Sequence, residues 1–276
     1  MNPDLTQFSW KLSFKGDRKG LPLLWLHGFM GSAQDWTSLL DEHFSEYNNI
    51  VADLPGHGQS TLLENTDLSE IIADLQLQLT ENGINSFIPI GYSMGGRIGL
   101  YLLSHLKNNI PAFIGISTAP GLKTGIERDQ RRCSDTELMD RLDDIGYQEF
   151  LRTWYELPLF QSINKNSQLI SNLVKSRSQN IPEQLRRSLE LLGNGAFPSL
   201  WDSMSDIHLP VLLMGGSLDL KYRSINKEMV QVLPQGQQVI IDDGDHAFHL
   251  EKPLETAQLI RHFLRESIKG VRSVSN

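Results

Sequence analysis

Residues 87–103 read FIPIGYSMGGRIGLYLL, and no other stretch of the chain restricts its fold as much. An apolar run suited to a buried strand meets a serine flanked by glycines, and an amphipathic helical run starts directly behind it. A serine at so sharp a strand-to-helix turn is forced into a strained backbone conformation that only small neighbours tolerate. Gly91, Gly95 and Gly96 supply the clearance. The turn presents the hydroxyl of Ser93 as a nucleophile or base, and it needs a sheet on one side and helices on the other.

The flanking sequence supplies both. Short apolar runs at 21–28 (LPLLWLHG), 48–56 (NNIVADLPG) and 111–118 (PAFIGIST) alternate with amphipathic stretches at 35–44 (DWTSLLDEHF) and 68–79 (LSEIIADLQLQL). Buried strands alternating with helices predict an α/β fold built on a mostly parallel, doubly wound sheet. FSWKLSF at 8–14 alternates apolar and polar residues instead, as an antiparallel edge strand would. Between residues 121 and 200 the pattern turns wholly helical, which predicts a cap inserted into a core formed by 1–120 and 201–276. The strand–helix rhythm resumes with LPVLLMGG at 209–216, and KGVRSVSN at 269–276 is expected to be a frayed tail.

Composition narrows the function. A formal charge of −8, with no Lys/Arg-rich run, argues against a nucleic-acid partner. Cys133 is the only cysteine, which excludes an internal disulfide and a thiolate metal cluster. The first residues carry an early Asp and no basic, apolar leader, and no later run reaches the ~18 apolar residues of a membrane span, so a cytoplasmic protein without membrane insertion is expected. The cap holds as many Lys and Arg as Asp and Glu, which places the negative balance on the core.

An activated serine needs a base and an acid, and on this kind of sheet they follow it in the order Ser, Asp, His. Asp219 lies in the loop after the strand LLMGG, and His246 in the loop after the next strand, QQVIID. Asp219 is therefore expected to orient His246, which activates Ser93. Asp242, Asp243 and Asp245 compete for the acid role, but they share the histidine's own loop and suit its turn better. The backbone N–H groups of Phe29, in LHGF, and of Met94 are the expected oxyanion donors. His27 then reads as a turn residue. His246, His249 and Glu251 are close enough to suggest a metal, yet they lack helical ligand spacing. No metal or cofactor is expected, and His249 and Glu251 are assigned to fixing the loop. Arg97 lies one helical turn past Ser93, where an inward side chain would bind a carboxylate bidentately.

Together with ADLPGHGQS at 52–60, these motifs resemble the α/β-hydrolase superfamily over nearly the whole chain. A narrower resemblance rests on HGFMGSAQDW, DLPGHGQS, GYSMGGR, TWYELPLFQS, SRSQN, GSLDLKY and GDHAFHLEKP. Between residues 21 and 253 the chain is similar to the 2-succinyl-6-hydroxy-2,4-cyclohexadiene-1-carboxylate synthases of menaquinone and phylloquinone biosynthesis. That resemblance implies a carbon–oxygen lyase that eliminates pyruvate from a small tricarboxylate, with Ser93 as base. It implies substrate contacts from Tyr92, Arg97, Trp154, Tyr155, Arg177 and Lys221, and from an arginine of the first cap helix, where Arg131 is preferred over Arg132. A monomer or small homo-oligomer is expected. Asp245 stands where the family usually has glycine. The alternatives are a serine hydrolase of esters or C–C bonds and a noncatalytic ligand sensor, and the apparently complete triad argues against the sensor.

Overall fold

The computed structural model of the chain describes residues 8–268; the tail expected over 269–276 lies outside the described residues. Seven strands form the central sheet: β1 (Lys11–Gly16), β2 (Pro22–Leu26), β3 (Asn48–Asp53), β4 (Ile88–Tyr92), β5 (Phe113–Ile116), β6 (Val211–Gly216) and β7 (Gly236–Ile241). Their order is β1-β3-β2-β4-β5-β6-β7, parallel throughout except where β1 pairs antiparallel with β3 at the edge. The expected edge strand over 8–14 is split at Trp10. Its indole is buried and donates to Ile71 O at 2.8 Å, while Phe8–Ser9 form a separate short ladder with Thr61–Leu62.

The inner strands are apolar on both faces, because helices cover both. In β2, Leu24 and Leu26 point into one hydrophobic cluster, whereas Leu23 and Trp25 point into another. Helices α1 (Thr37–His43), α2 (Leu68–Glu81) and α3 (Met94–His105) precede β5. Helices α4 (Gly125–Ile145), α5 (Tyr147–Trp154), α6 (Ser167–Arg177) and α7 (Pro182–Leu192) lie between β5 and β6, and α8 (Leu220–Val232), α9 (Phe248–Glu251) and α10 (Pro253–Ser267) follow. Residues of α2, α3 and α8 fill the first cluster, and those of α1 and α10 the second. On α2, Ile71, Leu75 and Leu79 repeat every four residues and are almost fully buried, each contributing about 1.5–3 kcal/mol of apolar burial.

The helical insertion leaves and rejoins the core side by side, since Leu200 N–H donates to Pro120 O at 2.7 Å. Its long first helix, α4, opens with a reciprocal capping box between Thr124 and Glu127 and stops at Gly146, whose φ of 79° no β-carbon would favour. No helix among the described residues is long and apolar enough to cross a membrane.

Candidate active site

Ser93 closes β4 and caps α3 with φ 50° and ψ −109°, a left-handed conformation that costs about 1–3 kcal/mol for a residue other than glycine. The surroundings enforce it. Ser93 N–H donates to Ile116 O at 2.9 Å, Thr118 Oγ1 donates to Ser93 O at 2.9 Å, and Gly95 N–H donates to His27 O at 3.1 Å. A β-carbon on Gly95 would lie 2.4 Å from the backbone oxygens of Leu26 and His27, so that position must be glycine.

Two further strand ends deliver the other groups. Asp219 caps α8 just beyond β6 and accepts Tyr222 N–H through Oδ1 at 3.2 Å. Its Oδ2 meets His246 Nδ1 at 2.7 Å, and His246 Nε2 meets Ser93 Oγ at 3.0 Å. The carboxylate sets the ring proton on Nδ1 and leaves Nε2 as the acceptor for the serine proton. Met94 N–H is the first of α3, one of the donors a helix leaves unpaired. Phe29 follows the His27–Gly28 turn that Gly95 locks against the elbow. Both residues line one cavity with Ser93.

That cavity, about 260 Å³, is also lined by Tyr92, Arg97, Arg131, Trp154, Tyr155, Arg177 and Lys221, so these expected residues are brought together. Their states differ. Arg97 is 4% exposed; Nη2 donates to Leu192 O at 2.9 Å, Nε has no partner, and among the described residues no carboxylate pairs with it. Burial pulls its pKa down to about 10, with Tyr222 and Asp135 opposing that fall. Arg177 is equally buried but is held by Asp35, Nη2 to Oδ2 at 3.1 Å, and its buried Nη1 has no partner. Burial works against its charge, and Asp35 with the Tyr155 and Tyr92 phenols more than offsets it, so its pKa is raised.

Arg131 faces the cavity while its Nε bonds Asp135 at 2.6 Å; Arg132 turns to Gly195 O and does not line the cavity. Lys221 sits at the rim, its pKa lowered by partial burial and by Arg131. Trp154 packs among Phe29, Phe150 and Phe160, and Tyr155 is buried between Phe160 and Arg177. Burial, and after it Asp245, raises the Tyr92 pKa well above the usual phenol range, which keeps this group a neutral donor.

The residues around the histidine loop have structural duties. His27 accepts Leu54 N–H at Nε2 (2.9 Å) and donates from Nδ1 to Gly28 O (2.7 Å). Burial lowers its pKa to about 3, and it does the same to His57 and His249. The His249 ring lies against Tyr92 and Trp36, and Glu251 accepts from Ser162 Oγ at 2.6 Å. Asp245 accepts the N–H groups of Ser162, Ile163 and Ala247 at 3.1, 3.0 and 2.8 Å. In this loop it is Asp243, at φ 52°, that takes the left-handed turn, so position 245 does not require glycine.

Among the polar and aromatic lining residues, Asn194 and Tyr222 escaped the sequence reading as contacts, and Phe160, which follows Trp154 and Tyr155 in the cap motif, lines the cavity with them. Asn194 is buried with Oδ1 unpaired, and its only sequence signal is its place between two glycines. Tyr222 is marked only by following Asp219 at the spacing of a helix cap.

Comparison with known proteins identifies the family. The family model described as the α/β hydrolase fold matches residues 22–253. A Bacillus subtilis (strain 168) protein named as a putative 2-succinyl-6-hydroxy-2,4-cyclohexadiene-1-carboxylate synthase is 35% identical over 87% of this chain and 88% of its own length. Protein PHYLLO, chloroplastic, of Arabidopsis thaliana is 30% identical over 89% of this chain, which spans 15% of that protein. The solved structure of MenH from S. aureus superposes with a TM-score of 0.86 at 28% identity, covering 95% of this chain and 99% of that one.

Proposed function

The chain belongs to the α/β-hydrolase family and, within it, to the 2-succinyl-6-hydroxy-2,4-cyclohexadiene-1-carboxylate synthases, and on that premise we propose that it is a carbon–oxygen lyase. Its reaction is the elimination of pyruvate from 2-succinyl-5-enolpyruvyl-6-hydroxy-3-cyclohexene-1-carboxylate, in menaquinone or phylloquinone biosynthesis.

One observation carries the reading beyond fold and relatives: Arg97 is a buried guanidinium without a carboxylate, one helical turn from Ser93, in a cavity that also receives Arg131 and Arg177. A buried cation without an ion pair is costly, so an anionic ligand is its natural complement. A plain ester substrate requires no such group.

The mechanism follows from the hydrogen-bond chain. Ser93 Oγ removes the ring proton beside the succinyl ketone as its own proton passes to His246 Nε2, and Asp219 stabilises the imidazolium that results. Negative charge moves to the ketone oxygen, where the N–H groups of Phe29 and Met94 receive it. The enolate then collapses, the ring C–O bond breaks, and the leaving enolpyruvate takes back the proton and tautomerises to pyruvate. Arg97, Arg131 and Arg177 hold the carboxylates, and Tyr92, Trp154, Tyr155 and Lys221 complete the contacts.

The test is to form the enolpyruvyl substrate in situ from isochorismate and 2-oxoglutarate, and to follow pyruvate release beside cleavage of a short nitrophenyl ester. Fast pyruvate release with negligible ester cleavage is expected. Pyruvate at the spontaneous rate with brisk ester cleavage would replace the lyase by a capped serine hydrolase.

A further inference from the structure

The cap meets the histidine loop at one carboxylate. Asp245 Oδ1 accepts Ala247 N–H at 2.8 Å, and Oδ2 accepts Ser162 N–H at 3.1 Å and Ile163 N–H at 3.0 Å. The first bond, from a residue two positions on, bends the chain around His246 itself. The other two come from the cap segment between α5 and α6, and that segment also touches the histidine. Leu159 O accepts His246 N–H at 3.2 Å, and the Phe160 ring lies edge-on to the His246 ring at 6.3 Å. The main chain is held from the opposite side. A β-carbon on Gly216, at the end of β6, would lie 2.4 Å from Asp245 O, and Leu218 N–H, next to Asp219, donates to Gly244 O at 2.9 Å. One residue thus joins the acid loop, the base and the cap.

We propose that Asp245 is a positioning residue that acts through His246: its carboxylate locks the cap segment to the histidine loop and so holds Nε2 against Ser93 Oγ. Asp245 is 1% exposed, and the groups that satisfy it are backbone N–H. Burying a carboxylate is costly unless it is hydrogen-bonded, and its bonds to N–H groups are short and strong. Three of them leave the carboxylate one orientation, and with it the turn at His246. A neutral side chain of the same shape cannot repeat this. Asparagine has one accepting oxygen, and its NH2 would face N–H groups that also donate. Proton transfer tolerates little error in position, since a displacement of about 1 Å costs on the order of 100-fold in rate. The 3.0 Å between His246 Nε2 and Ser93 Oγ is therefore what the carboxylate protects.

The proposal rests on His246 activating Ser93, not on the identity of the substrate. Asp245→Asn and Ser162→Ala are compared with the unaltered protein, and His246→Ala serves as the reference for a lost base. Three quantities are measured: the rate at which a small fluorophosphonate labels Ser93, kcat and KM for pyruvate release, and the melting temperature. In folded Asp245→Asn, labelling and kcat should fall about 10- to 100-fold with KM within about threefold. Asp245→Ala, which brings in no donor, gives the same reading should the asparagine variant fail to fold. Ser162→Ala cuts a neighbouring tie of the same segment, Ser162 Oγ to Glu251 at 2.6 Å, and leaves the carboxylate alone. It should lower the melting temperature while labelling stays within about twofold. Unchanged labelling in folded Asp245→Asn, or an equal loss in Ser162→Ala, would overturn the proposal. Unchanged labelling in His246→Ala would remove the base, and the proposal with it. If the unaltered protein released no pyruvate, the lyase reading would fall while the labelling rates still decided the role of Asp245.

Discussion

On the core side of the cavity, Ser93, Asp219 and His246 stand beyond strand ends and are aimed by backbone hydrogen bonds, one of which holds Ser93 at a φ of 50°. On the opposite side, Arg131, Trp154, Tyr155 and Arg177 belong to helices α4–α6 or directly follow one, and the cap reaches the core mainly through side chains. Asp35 holds Arg177, Asp245 takes the N–H groups of Ser162 and Ile163, and Glu251 takes Ser162 Oγ. The difference teaches where precision is needed. Proton transfer demands fixed separations, such as the 3.0 Å between Ser93 Oγ and His246 Nε2, and a rigid sheet supplies them. Holding carboxylates demands charge at roughly the right place, which long side chains on a helical insertion provide.

The comparison breaks most completely at Ser93. Ser93→Ala leaves both walls standing but removes the oxygen proposed to act as base, and pyruvate release should fall by roughly 10³-fold or more while the melting temperature does not drop. A thermal melt beside the activity assay separates the two effects. Asp35→Ala attacks the tie between the walls. It strands the Arg177 guanidinium in a site about 6% exposed, and breaking such a buried pair should cost about 3–5 kcal/mol in urea unfolding. A loss below 1 kcal/mol would mean that the cap does not depend on this contact.

Arg97→Met separates recognition from stability. If Arg97 clamps the substrate as proposed, kcat/KM should fall roughly 10- to 100-fold, yet stability should hold or increase, because among the described residues no carboxylate is paired with that buried charge. Unchanged kcat/KM would remove Arg97 from the substrate site.

One further effect is spread over pH rather than tied to a single substitution, and it belongs to the core wall. His27, His57 and His249 have folded pKa values lowered by burial to about 3, against 6.5 when exposed. Between those values the unfolded chain binds protons that the folded chain refuses. The stability they contribute is therefore fully present above pH 6.5 and is lost as pH falls toward 3. Each histidine adds a slope of up to about 1.4 kcal/mol per pH unit in that window. Melts from pH 7 to 4 should show the decline, and a flat profile would contradict neutral burial of these rings.

Local signals made much of this legible in advance. The apolar runs that became β2 to β6 are bounded by turn residues, and the loops that carry Ser93, Asp219 and His246 each compress strand, turn and functional side chain into a few positions. Their geometry follows from neighbours in the chain, so their pattern is readable without a partner. The split at Trp10 was not readable, because the indole's acceptor is Ile71, 61 residues away.

The sequence by itself determined the alternation of strands and helices, the strained serine and the chain order of acid and base, because short-range sterics and periodicity govern all three. Tertiary structure alone decided that Arg131 rather than Arg132 faces the cavity, and that Arg177 answers to Asp35 across 142 residues. Adjacent residues on a helix point about 100° apart, and nothing in the helix itself says which direction is inward. Only the element packed against it does, and that element comes from elsewhere in the chain.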